Sequence, residues 1–197
     1  MPSYRCARAK EAQAQVARGW IVLQVEHHSL SSSSGRAEQS VPSRVYPYRA
    51  GLSGGALGGL AMTAVAMVYG SVNGRGIWLP INLIGATLVR DLQAAPLEAL
   101  AQFNPAALLA GLVLHAALSI GLGLVFALLL PTLPGSPVFW SLTVGSLLWW
   151  LAGVLTLPLF NPIMSLAVDV PAFLVAHLAY GLMLGGWIAR TPKIPAE

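Results

Sequence analysis

Charge is scarce in this chain. Only 9% of its 197 residues are Asp, Glu, Lys or Arg, against about 25% in soluble domains. Between Gly51 and Ala189 the charged residues are Arg75, Arg90, Asp91, Glu98 and Asp169. So few cannot cover a water-facing surface, which excludes a soluble globular fold for that stretch. A bilayer accepts the apolar exterior that water rejects. Cysteine is nearly absent as well: Cys6 stands alone, so neither an intramolecular disulfide nor a cysteine metal cluster can form. There is no His-Glu-x-x-His and no P-loop, and Gly74-Arg75-Gly76 is a turn, not a phosphate cradle. No hydrolase site, no metal centre and no enzymatic activity are expected.

What is abundant is apolar. Hydrophobic residues make up 56% of the chain, and the mean hydropathy is +0.69. The net charge of +4 comes from basic residues that flank the apolar region. They read as topology signals and contacts with anionic lipid, not as a nucleic-acid footprint.

A membrane-spanning helix needs about 20 apolar residues. Segments 51–69, 106–130, 138–157 and 172–189 have that character. The second is expected to stop at Pro131 and the third at Pro158. The run 77–89 is shorter and contains Pro80, which fits an interfacial or re-entrant piece between the first two helices. The prediction is an all-α, polytopic membrane protein whose four helices form two tandem helical hairpins. Residues 1–49 are expected to be a polar, disordered tail, 50–190 the membrane domain, and 191–197 a short tail. The tail holds the Ser31 to Ser34 tract and the pair His27-His28, read as solvated. The apolar run Ile21 to Val25 is too short for a signal-peptide core, so the first helix is expected to be an uncleaved anchor. Arg36, Arg44 and Arg49 precede the first helix, Arg190 and Lys193 follow the fourth, and Arg75 and Arg90 lie between the first two. The positive-inside rule then puts both termini in the cytoplasm.

The tripeptide Phe103-Asn104-Pro105 recurs as Phe160-Asn161-Pro162, each copy ahead of a helix that carries a histidine, His115 or His177. The two copies suggest a tandem repeat, a known transporter arrangement. Asn is also a preferred N-cap and Pro a preferred first helical residue, and Asp169 ahead of Pro171 reads the same way. Ionisable residues inside a membrane are functional candidates by default. His115 and His177, with Asp169, are therefore candidates for a ligand site or a proton path. Two imidazoles on parallel helices, their depths differing by roughly 6 Å, suit a haem b, a proton path or a structural role.

Gly51, Gly55 and Gly59 recur every fourth residue in the first helix, and Gly181 and Gly185 do so in the fourth. Small residues at that spacing let helix backbones approach closely, within the chain or against another subunit.

Gly74-Arg75-Gly76-Ile77-Trp78-Leu79-Pro80-Ile81-Asn82-Leu83, Asn161-Pro162-Ile163-Met164 and Asp169-Val170-Pro171 together resemble a group of small bacterial multi-pass inner-membrane proteins with no assigned activity. The likeness covers Ala50 to Arg190 and implies a bacterial inner-membrane location. The leading expectation is a non-enzymatic accessory or assembly component that meets lipid and other membrane subunits, or a second copy of itself. The alternatives are a small transporter or channel, and a bis-histidine haem electron carrier.

Overall fold

A computed structural model describes residues 43–196. The expectations for the tail, Cys6 and the pair His27-His28 lie outside the described residues. Among the described residues four helices are long and apolar enough to cross a membrane: Tyr48–Val72 (α1), Pro105–Leu129 (α4), Pro137–Phe160 (α5) and Val170–Arg190 (α7). The architecture is all-α and multi-pass. Between α1 and α4 lie the short helices Leu79–Gly85 (α2) and Leu97–Leu100 (α3), and Pro162–Ala167 (α6) separates α5 from α7.

The helix starts follow from local chemistry. The Asn104 side-chain oxygen accepts a hydrogen bond from the Ala107 N–H at 3.0 Å, with Pro105 as first helical residue. The Asp169 carboxylate accepts one from the Ala172 N–H at 2.9 Å, with Pro171 in the first turn of α7. Each fills one of the donors that a helix N-terminus leaves open.

Two expectations need correction. The third helix does not stop before Pro158; it runs through that residue to Phe160. Proline is a weaker breaker in an apolar helix of this kind, where local adjustment and neighbouring groups compensate for the lost hydrogen bond. Within segment 77–89 Leu79–Gly85 is α-helical, and Arg90–Ala94 follows as a 3-10 turn. Residues 44–49 are not part of a loose tail. Arg44–Val45 (β1) pairs antiparallel with Ile194–Pro195 (β2), and α1 already begins at Tyr48. The two flanks of the helical domain therefore meet at one end of the bundle, where the Lys193 ammonium also sits 4.9 Å from the Tyr46 ring centre.

Within the bundle α1 is the hub, packed extensively against both α4 and α7, while α5 lies outside α7. Glycine makes this possible. A Cβ on Gly55 would fall 2.5 Å from the Ser119 carbonyl oxygen of α4, and one on Gly59 2.8 Å from the Ser119 side chain. Gly51 lies equally close to the Gly123 carbonyl. Gly54 and Gly58 form a second stripe, against Leu184 and the Tyr180 ring of α7. Five glycines in nine residues thus serve two neighbours at once. On α7, Gly181 and Gly185 face Ser141 and Ser146 of α5.

Side-chain bonds to backbone carbonyls lock these faces. The Tyr180 hydroxyl donates to Ser119 O at 2.7 Å, Ser141 to Gly181 O at 2.7 Å and Ser146 to His177 O at 2.7 Å. The serines share a face because the backbone of α5 widens to a π-helix over Thr143–Leu148, and a π-turn stacks residues five apart. Phe126, Leu184, Ile188, Ala50 and Leu130 close the terminal end of the bundle in one apolar cluster.

Candidate functional site

The helices lie in the order α4, α1, α7, α5, and the ring does not close. α4 and α5 touch only sparsely, mainly beside the π-turn. Between them lies a cavity of about 500 Å³. That is within the range of small-molecule sites, about 300–1,000 Å³. α4 contributes His115, Leu118 and Ser119; α5 contributes Trp149, Ala152 and Thr156; α7 contributes Phe173, His177 and Tyr180. Met62 of α1 forms the back, and Thr87, Asn161 and Met164 close the end away from the chain termini. The walls are mostly apolar and aromatic, with a few polar groups.

The two histidines hold the most informative positions. His115 Nε2 lies 3.0 Å from Gly59 O, and His177 Nδ1 lies 2.8 Å from Phe173 O. A carbonyl can only accept, so each of those nitrogens carries the proton in the neutral ring. The remaining nitrogens, His115 Nδ1 and His177 Nε2, have no hydrogen-bond partner among the described residues, and both rings line the cavity. Two imidazoles, each with one lone pair not used by a backbone bond, thus line one mostly apolar space. The Phe173 ring packs edge-on against His177, with centroids 4.3 Å apart, and steadies it.

A smaller cavity of about 100 Å³ adjoins the first and shares His115, Met62, Ile84, Met164 and Phe173 with it. Its lining includes Tyr69, Arg75 and Asp169. Asp169 is therefore a helix cap beside this annex and is not part of the wall around His177. The Arg75 guanidinium donates to Ala167 O at 2.9 Å, which ties the loop after α1 to the end of α6.

The Phe-Asn-Pro copies are not equivalent. Asn104 makes a single cap bond. Asn161 is fully buried and makes three contacts of substance. It accepts from Met164 N at 3.0 Å and donates to Leu83 O at 2.6 Å and Thr87 Oγ1 at 2.8 Å. Moreover, Asn161 caps α6, a helix of six residues, while α7 has its own cap in Asp169. The inserted α6 explains the longer spacing from Pro162 to His177.

The expectation that the chain holds no Gly-x-Ser-x-Gly needs correction. Gly51-Leu52-Ser53-Gly54-Gly55 formally matches Gly-x-Ser-x-Gly, but it lies inside α1 and not on the strand-to-helix turn that a nucleophile elbow requires. The Ser53 hydroxyl donates to Arg49 O at 2.8 Å and accepts from Trp187 Nε1 at 2.8 Å, with no histidine beside it. The serine is a structural link. Tyr180, Phe173 and Met164 were also missed as site residues, and Asn161 was read only as a helix start; Phe173 and Tyr180 flank His177 at helical spacing.

No protein family, curated protein or solved structure matched the chain in comparison.

Proposed function

We propose that this is a non-enzymatic bacterial inner-membrane protein that binds a small lipid-soluble molecule in the cavity between α4 and α5, as a carrier or as an accessory subunit that presents the molecule to a membrane complex. The cavity carries the proposal. It is of ligand size, mainly apolar, and holds two histidines whose free nitrogens have no protein partner among the described residues. An apolar pocket with a few convergent polar groups is the usual form of a small-molecule site. The glycine faces support a ligand-binding role over one of pure helix docking, because Gly51, Gly55, Gly59, Gly181 and Gly185 are all occupied by helices of the same chain. A partner subunit would have to use another surface.

Both termini are assigned to the cytoplasm. Arg44, Arg49, Arg190 and Lys193 sit at the end where β1 and β2 pair, whereas Arg75 and Arg90 sit at the other end with Asp91, Glu98 and Asp169. The basic excess marks the inner side. The cavity then lies in the outer half of the membrane, with α2 and α6 at its outer rim.

The test is equilibrium binding of a lipid-soluble aromatic probe, 4-hexylphenol, to the purified protein in mild detergent. Saturable binding that is lost in Ala152→Phe, a substitution on the cavity wall, supports the site. Binding that is unsaturable, or equal in the variant, rejects it. A haem is the second reading, favoured by two imidazoles that each give their other N–H to a backbone carbonyl, as metal-binding histidines do. It requires a Soret band in the purified protein, lost in His115→Ala and His177→Ala alike.

A further inference from the structure

We propose that the molecule bound in this cavity is an aromatic alcohol, a phenol or hydroquinone with an apolar tail, recognised through its hydroxyl hydrogen by His115 Nδ1 or His177 Nε2. The proposal rests on the ligand-binding reading above and names the ligand class. Its first support is the direction of the hydrogen bonds. Both histidines spend their N–H on backbone carbonyls, Gly59 O and Phe173 O. What each neutral ring can still offer is a lone pair. The Tyr180 hydroxyl likewise gives its hydrogen to Ser119 O, and the Asn161 amide gives both of its hydrogens to Leu83 O and Thr87 Oγ1. These four groups can accept from a ligand but cannot donate to one; the lining's remaining donors are the Ser119 and Thr87 hydroxyls and the Trp149 N–H. A ligand with a carbonyl, ether or ester alone would leave the imidazole nitrogens buried and unpaired, which costs more than the hydrogen bond itself contributes. A phenol O–H satisfies one of them, and a hydroquinone carries a second O–H for the other.

The second support is shape. Trp149, Phe160, Phe173 and Tyr180 line the same cavity as the histidines, and aromatic walls favour a flat aromatic ring. The third is access. The terminal end is sealed by the cluster of Phe126, Leu184 and Ile188, whereas α4 and α5 part beside the cavity. A tail can leave sideways through that gap into the lipid, while the ring stays inside.

The experiment compares 4-hexylphenol with its methyl ether, 4-hexylanisole, on the wild-type protein in detergent. The two differ in one hydrogen-bond donor and are similar in size and apolar surface. The phenol is expected to bind at least about tenfold more tightly, the loss of one hydrogen bond at the upper end of its usual strength. His115→Leu and His177→Leu are then measured with both probes, and at least one is expected to bring the ratio close to one. Equal binding of phenol and ether by the wild-type protein overturns this inference and leaves the cavity reading intact. Tighter binding of the ether overturns it as well. Binding of neither probe overturns both readings. If the histidine variants do not fold, the wild-type comparison decides alone.

Discussion

Gly55→Ala tests the packing on which the site is built. The new Cβ would lie 2.5 Å from Ser119 O, 3.0 Å from Ile120 Cα and 3.2 Å from Gly123 Cα, all backbone atoms. None of them can swing aside as a flexible side chain would. Bringing the closest contact from 2.5 Å merely to the 3.0 Å that real side chains reach moves α1 away from α4 by 0.5 Å. That movement also stretches the bond from His115 to Gly59 O, now 3.0 Å, toward its limit. Overpacking of this kind costs about 1–3 kcal/mol, and the weakened bond adds about 0.6 kcal/mol. A loss of 2–3 kcal/mol lowers the unfolding temperature of a protein this size by roughly 4–12 °C. Gly121→Ala is the control. Its Cβ would meet nothing within 4 Å, and alanine is the better helix former by up to about 1 kcal/mol. Thermal unfolding in one detergent, followed by tryptophan fluorescence, is expected to fall for Gly55→Ala and to hold or rise slightly for Gly121→Ala. Equal unfolding temperatures for the two variants would refute the reasoning.

Three further outcomes are expected. Asn161→Ala should cost about 2–3 kcal/mol, because it loses a cap and orphans two buried acceptors, whereas Asn104→Ala should cost about 1 kcal/mol. Equal unfolding temperatures for these two would show that the tripeptides play one role. Ser141→Ala and Ser146→Ala should each cost about 0.6 kcal/mol, read by the same assay, because each removes one bond from α5 to an α7 carbonyl. A reporter fused after Lys193 should be cytoplasmic and one inserted at Asn104 periplasmic; both on the same side would contradict the assignment of the membrane sides.

The long helices were legible because their signal is local. An apolar run of spanning length needs no knowledge of its neighbours, and Asn104, Asn161 and Asp169 announce helix starts by chemistry contained within four residues. Glycine spacing showed that backbones approach closely, but not which ones. Only the three-dimensional arrangement assigns Gly51, Gly55 and Gly59 to α4 and Gly54 and Gly58 to α7. The π-turn was not legible. Ser141 and Ser146 are five apart, a spacing that an α-helix would spread over different faces, and it becomes meaningful only once the turn has widened. Pro158 misled because its breaking power in water does not carry over to an apolar helix. The histidines stood out as isolated polar residues in apolar helices. The cavity they line arises because α4 and α5 touch only sparsely, a fact about surfaces distant in sequence that no local pattern encodes. The inequivalence of the two Phe-Asn-Pro copies likewise depends on what surrounds Asn161.

The central claim is that the space between α4 and α5 is a ligand site, and photolabelling in native membranes tests it most directly. A diazirine-bearing alkylphenol is cross-linked and the labelled residues are mapped by mass spectrometry. The expected labels fall on the cavity wall, at Met62, Met164 and Phe173, and are competed away by excess 4-hexylphenol. Labelling confined to the outward-facing Leu109, Leu155 and Leu159, which are 66%, 67% and 76% exposed, and insensitive to competition, would mean that the probe samples only lipid. That result would contradict the account.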